Sequence, residues 1–292
     1  MLNNDFYKHI TKILSGAILQ EVELLNISSV AGGSINGTYQ LTTNRGNFFI
    51  KKNQAVRYPE LFEKEALGLE LLRGAQVIRI PNEFAVGEFQ GDSFLILEYI
   101  QSSSPQNNFW EQFGAQMAKL HQHTSEQFGL DHNNYIGSLN QQNSQYDEWV
   151  NFFIHERLEP QVELAKRNNQ IDNLTINQFE KLFERLNEIF PQEKPSLLHG
   201  DLWSGNFMVD EKGMPVIMDP AVYFGHREMD IAMTQLFGGF DASFYDSYNA
   251  IFPLQKGWKD RIEICNLYPL MVHVNLFGGS YLSQVKQVLM KF

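Results

Sequence analysis

The chain has 292 residues, 43% hydrophobic and 20% charged, a composition that suits an ordinary globular protein with a sizeable core and excludes extended disorder. Its formal net charge of -11, with no basic run, argues against a nucleic-acid partner, because phosphate affinity comes from clustered Lys and Arg, and it suits a cationic small molecule better. One cysteine, Cys265, excludes an intrachain disulfide and a cysteine-built metal site, and with a polar N-terminal stretch that lacks a signal-peptide core it points to the reducing cytoplasm.

The first hundred residues read as strands with one helix. Strands are predicted over 27–30, 38–42 and 47–52, with "TNRG" as the turn between the last two and Gly32-Gly33-Ser34-Ile35-Asn36-Gly37 as a glycine-rich tip. Residues 59–73, "PELFEKEALGLELLR", open with Pro and keep helical periodicity. Leu61, Phe62, Ala66, Leu69 and Leu72 fall on one face, and Glu65 falls inside that apolar stripe. A carboxylate there is costly to desolvate unless a cation meets it. Strand alternation sends Lys51 and Lys52 to opposite faces and leaves open which of them that cation is.

An apolar strand over 93–97 ends at Glu98-Tyr99-Ile100 and runs into a Ser/Pro/Gln stretch, read as a hinge between a lobe over 1–100 and a lobe over 101–292. From Phe109 onward the pattern is mostly helical. Residues 266–285 carry no Lys, Arg, Asp or Glu, but Pro269, His273, Asn275 and Gly278-Gly279 interrupt them, so a buried core helix is expected and not a membrane span. The expected fold class is therefore α+β, with a small antiparallel-sheet N-terminal lobe bearing one helix and a larger helical C-terminal lobe.

Within the second lobe, "LLHGDLWSGNF" places Asp201 two residues after His199 and five before Asn206, and the strand-turn-strand "FMVDEKGMPVIMDP" ends near Asp219. Phosphoryl transfer from ATP asks for a loop over the phosphates, a Lys to grip them and a carboxylate to hold that Lys. It also asks for an Asp to take the hydroxyl proton, and for Asn and Asp ligands to magnesium. The chain supplies these parts in that order: Gly32 to Gly37, Lys51, Glu65, Asp201, Asn206 and Asp219. Each part alone has a bland reading as a hairpin turn, a solvated lysine or a cap; their order and spacing together favour the kinase reading. His199 reads as a residue that shapes the loop, not as a base. Pro220-Ala221 follows Asp219, and no long activation segment precedes the next apolar helix, so a small hydroxylated substrate is expected in place of a protein hydroxyl.

The stretch "LLHGDLWSGNF…VIMDPAVYFGHREMDIAMTQLFGGF", with "GGSING", "LFEKEALGLELL", "FGLDHNNYIGSLNQQN" and "VHVNLFGGSY", resembles the fructosamine kinase (ketosamine-3-kinase) family over nearly the whole chain. That family is a branch of the aminoglycoside phosphotransferase and choline kinase-like fold. The resemblance implies Lys51 and Glu65 as the nucleotide-gripping pair, the Gly32, Gly33, Ser34 and Gly37 loop over the phosphates, and the Glu98, Tyr99 and Ile100 backbone as the adenine hinge. It implies Asp201 as base, Asn206 and Asp219 as magnesium ligands, and Trp203 as a wall of the sugar site, with His273 and Phe277 as weaker substrate candidates. The implied reaction places phosphate from ATP on the 3-hydroxyl of a ketoamine, free or protein-bound, with ribulosamines expected over fructosamines. The adduct then collapses and frees the amine. Nearest to this stands a kinase for another small amino or hydroxyl compound, such as an aminoglycoside or choline; a nucleotide-binding protein without turnover is the rival from another class. Ser34 stands where some family members carry cysteine, so no redox switch is expected in the glycine loop.

Overall fold

Alternating strands and helices follow the hydrophobic pattern closely in the computed structural model, which describes residues 4–30 and 36–292. The N-terminal part holds α1 (Asn4–Ile18), β1 (Leu24–Ser29), β2 (Gly37–Thr43), β3 (Gly46–Gln54), α2 (Leu61–Gly74), β4 (Glu83–Phe89) and β5 (Asp92–Glu98). Its five strands form one antiparallel sheet in the order β1-β2-β3-β5-β4. The sheet therefore has a helix on each face, where one helix was expected. The additional one, α1, buries Phe6, Ile10 and Leu14 at four-residue spacing against Phe48, Ile50, Phe94 and Ile96. Lys8 and Lys12 between them belong to its solvent side, while His9 stacks on Phe89 at 4.3 Å, and these polar side chains are why the segment reads as merely polar.

The remainder is mainly helical: α3 (Phe109–Leu120), β6 (Asn134–Ile136), β7 (Leu139–Gln141), α4 (Trp149–Phe152), a π-helical turn (Phe153–Leu158), α5 (Glu159–Arg167), α6 (Asn173–Ile189), β8 (Ser196–Leu198), β9 (Phe207–Val209), β10 (Pro215–Ile217), β11 (Tyr223–Gly225), α7 (Glu228–Leu236), α8 (Ala242–Ile251), α9 (Trp258–Cys265), α10 (Leu267–Phe277) and α11 (Ser280–Leu289). The charge-free stretch is α10, a break at Gly278-Gly279, and most of α11. Seven residues of α10, between Leu267 and Val274, are buried, and no helix among the described residues is long and apolar enough to cross a membrane.

One apolar core joins the two parts. Leu61, Phe62, Leu69 and Leu72 of α2, with Leu95 and Leu97 of β5, belong to the same cluster as Phe113, Met117, Leu198, Ile217 and Val222. Gly68 shows how close the approach is: a Cβ there would lie 3.1 Å from a Val222 methyl. The helix bearing Glu65 is thus packed against the segment that follows Asp219.

Candidate active site

Alternation along β3 decides between the two lysines. Phe48 and Ile50 face α1, so Phe49 and Lys51 face the other way, toward α2 and the second lobe. Lys51 is buried, with Nζ 2.6 Å from Glu65 Oε1 and 2.5 Å from Asp219 Oδ1, so the cation that Glu65 requires is Lys51. Lys52 pairs with Asp92 at 2.7 Å and lies over the Phe6 ring, on the α1 side. Burial would lower the Lys51 ammonium, but the Asp219 and Glu65 carboxylates outweigh it and hold the charge in place. Burial raises the Glu65 carboxyl, against the pull of Lys51.

Strand β8 pairs with β11 and delivers His199-Gly200-Asp201 to the cleft. His199 is fully buried, and its Nε2 donates to the Met218 carbonyl at 2.9 Å while Nδ1 accepts the Asp201 N–H at 3.3 Å. Burial lowers its pKa, so it is a neutral loop-shaping residue, as its sequence context suggests. Gly200 takes φ +82°, and a Cβ there would lie 2.0 Å from the Ala221 carbonyl oxygen, so no larger residue fits. Asp230, on α7 and buried, accepts the His199 N–H at 2.7 Å, the Gly200 N–H at 2.9 Å and His121 Nε2 at 3.1 Å. Burial alone would raise Asp230; these donors and charges more than offset it and keep the carboxyl below its ordinary value.

Asn206 Nδ2 donates to both the carbonyl and the Oδ2 of Asp201, each at 2.8 Å. That leaves Asn206 Oδ1 as an acceptor without a described protein partner. The Asn206 carbonyl accepts the Met218 N–H at 3.0 Å, which ties the exit of the loop to the residue before Asp219. Asp219 itself adopts φ 56°, a left-handed backbone uncommon outside glycine, with one carboxylate oxygen on Lys51 and 40% of its side chain open. An amide oxygen and a carboxylate facing one cleft are hard oxygen donors, and they fit a magnesium-sized cation. Burial raises Asp201 to about 7, with Asp219 and Asp230 adding to the effect and the Asn206 amide opposing it.

Lys51, Glu65, Asp201, Trp203, Asn206 and Asp219 all line one cavity of about 500 Å³, together with His273 and Phe277. Trp203 packs closely on Gly205, where a Cβ would stand 2.4 Å from the indole. The structure thus gathers most of the residues singled out in the sequence. Gly32, Gly33 and Ser34 lie outside the described residues; Gly37 opens β2, and its neighbour Asn36 reaches the cavity. Glu98, Tyr99 and Ile100 do not line it. Glu98 ends β5, with its N–H on the Asn82 carbonyl at 2.7 Å and its carboxylate on Arg79 at 2.6 Å.

Four contributors escaped the sequence reading. Asp230 could have been found by the argument applied to Glu65, since it too is an acid between buried apolar residues, Met229 and Ile231. Asn134 and Gln141, which hold the Val222 and Ala221 carbonyls at 2.8 and 3.1 Å, carry no local signal, because only the folded β6–β7 hairpin brings them behind the cleft. Lys64 also lines the cavity, its Nζ 5.6 Å from the Tyr135 ring.

A five-stranded sheet packed on a helical lobe, with a buried lysine shared by a helix glutamate and a loop aspartate, defines the kinase-like phosphotransferases. An aminoglycoside phosphotransferase, APH(4)-Ia, shares that fold with a TM-score of 0.62 at 16% identity. A crystal structure from Haemophilus somnus 129PT, named for fructosamine-3-kinase, superposes with a TM-score of 0.89 at 29% identity, covering 98% of this chain and 97% of that one. The fructosamine kinase family model matches residues 6–292. A protein named "Probable ketoamine kinase" from Enterococcus faecium is 43% identical over 90% of this chain and 94% of its own length. "Protein-ribulosamine 3-kinase, chloroplastic" from Arabidopsis thaliana is 38% identical over 91% of this chain and 82% of its own. The chain belongs to the fructosamine kinase family, and it is a kinase.

Proposed function

We propose that the protein transfers the γ-phosphoryl group of ATP to the 3-hydroxyl of a ketoamine, favouring ribulosamines, and so begins removal of the sugar from an amine or lysine side chain. The observation that carries this reading is the hydrogen-bonded Asp201–Asn206 pair facing the same cleft as the Lys51–Asp219 pair. The 38% identity to a relative named ribulosamine 3-kinase supports the sugar.

In this mechanism Lys51, held by Glu65, grips the nucleotide phosphates beneath the loop of Gly32, Gly33, Ser34 and Gly37, and the backbone of Glu98, Tyr99 and Ile100 receives the adenine. Residues 1–100 form the nucleotide lobe and 101–292 the catalytic and substrate lobe. Asn206 Oδ1 and the Asp219 carboxylate would hold magnesium, which when bound would offset phosphate charge. Asp201 orients the 3-hydroxyl and accepts its proton as the oxygen bonds to phosphorus and ADP departs. Trp203 offers an apolar face to the sugar's C–H surface. The phosphorylated ketoamine enolises, loses phosphate as a far better leaving group than hydroxide, and the remainder hydrolyses to free amine. Cys265, buried and with its thiol raised by burial, suits a reducing compartment such as the cytoplasm.

The test is magnesium-dependent ATP consumption by the purified protein with ribulosyl-lysine, fructosyl-lysine, choline and kanamycin. Turnover is expected on the ketoamines, faster on ribulosyl-lysine, and reduced roughly 10²–10⁴-fold in Asp201→Ala. Turnover on choline or kanamycin alone, or full activity in Asp201→Ala, contradicts the reading.

A further inference from the structure

One stretch of the cleft wall is built of rings. His273 and Phe277 stand one turn apart on α10, and Tyr281 follows in the first turn of α11, beyond the Gly278-Gly279 break. All three line the cavity. Phe237, at the end of α7, ties them to the indole: its ring lies 4.7 Å from His273 and 5.8 Å from Trp203. His273 is 4.9 Å from Tyr281 and 5.4 Å from Phe277. The charged residues of the cavity, Lys51, Lys64, Glu65, Asp201 and Asp219, all come from other elements.

Two features of this wall point to an occupant. His273 Nδ1 lies 2.7 Å from the Pro269 carbonyl, which can only accept, so Nδ1 carries the proton. Nε2 is then an acceptor with no partner among the described residues, and burial, which lowers the ring's pKa, keeps it neutral. Phe277 is 57% exposed, a large apolar ring left in water at the rim of a cavity.

A sugar needs directional bonds to its many hydroxyls besides the ring face that Trp203 offers, and this wall is mostly ring faces, with only the His273 nitrogen and the Tyr281 hydroxyl as polar atoms. The other half of a ketoamine is a secondary ammonium followed by an alkyl stem. Ring faces attract a cation, the ammonium N–H matches a bare imidazole nitrogen, and the stem's methylenes gain by covering exposed rings. We propose that His273, Phe277 and Tyr281, with Phe237 packed against His273 as support, form the subsite for the amine half of the substrate, with His273 Nε2 accepting from the ammonium and Phe277 and Tyr281 covering the stem. The assignment rests on the ketoamine reading above, and it makes the wall the part of the enzyme that senses what the sugar is attached to.

The test compares two adducts of the same sugar, ribulosyl-methylamine and Nε-ribulosyl-lysine, on the wild-type protein, Phe277→Ala and His273→Leu. Phe277→Ala should lower kcat/KM for the lysine adduct relative to the methylamine adduct by roughly tenfold, since the methylamine adduct has no stem to lose. His273→Leu should lower kcat/KM for both adducts by a similar factor, because both carry the ammonium. Equal losses on both adducts in Phe277→Ala, or none, would overturn the subsite while leaving the kinase reading intact. If the wild-type protein turned over neither adduct, the ketoamine reading would fail, and the subsite with it.

Discussion

At the cleft floor, the Asp201 carboxyl is half-buried, and its partial removal from water lifts it to about 7. The proton-acceptor role proposed for it needs the ionised form. When kcat/KM is measured under conditions where the free protein is the reactant, activity should therefore fall with acidity below about pH 7 and level off above it. A profile flat from pH 5 to 9 would remove Asp201 from that role. The residue scale is also where the sequence was most legible. Glu65 announced its need for a cation by its place in an apolar stripe, and the 2.6 Å contact supplies one. Lys51 and Lys52 could not be told apart by pattern, because a strand's two faces are equivalent until something packs on one of them. Here α1 covers the Lys52 side, and α1 itself was hidden by the polar residues on its outer surface.

Among the elements, the loop that begins at His199 is held from behind by α7. Asp230 accepts two successive backbone N–H groups of that loop, and its third donor, His121, is itself 2.8 Å from the Tyr248 hydroxyl. In Asp230→Asn one acceptor oxygen becomes an NH₂ facing an N–H donor, which leaves a buried backbone group unsatisfied. The expected result is a loss of roughly 10–100-fold in kcat with the KM for ATP little changed, and a drop of about 1–3 kcal/mol in unfolding free energy. An unchanged kcat would show that the loop holds its shape without this anchor. This layer was less legible than the loop it supports. The loop's chemistry is written in consecutive residues, whereas its supports, Asp230, Asn134 and Gln141, are separated from it along the chain and meet it only after folding.

Across the whole molecule the same economy of contacts joins the two parts. Arg79 pairs with Glu98 at the end of β5 at 2.6 Å and with Asp210 at 2.7 Å and Glu211 at 2.9 Å, beside β9. Ser103 and Gln106, in the exposed linker, bond to the same β9–β10 turn. The α+β class and the order of the residues that meet in the cleft were readable from periodicity and spacing, since each depends on local pattern, whereas α1 and β4 were missed. The sheet order and the Arg79 clamp were not, because both are set by pairings between distant segments.

The central claim is that phosphate reaches the 3-hydroxyl of a ketoamine. The most direct measurement is to incubate the protein with ATP, magnesium and Nε-ribulosyl-lysine and follow the products by phosphorus NMR and mass spectrometry. A 3-phosphorylated adduct should appear first and then decay to inorganic phosphate and free lysine. Phosphate on a different hydroxyl, or ADP formed with the ketoamine recovered unchanged, would contradict it.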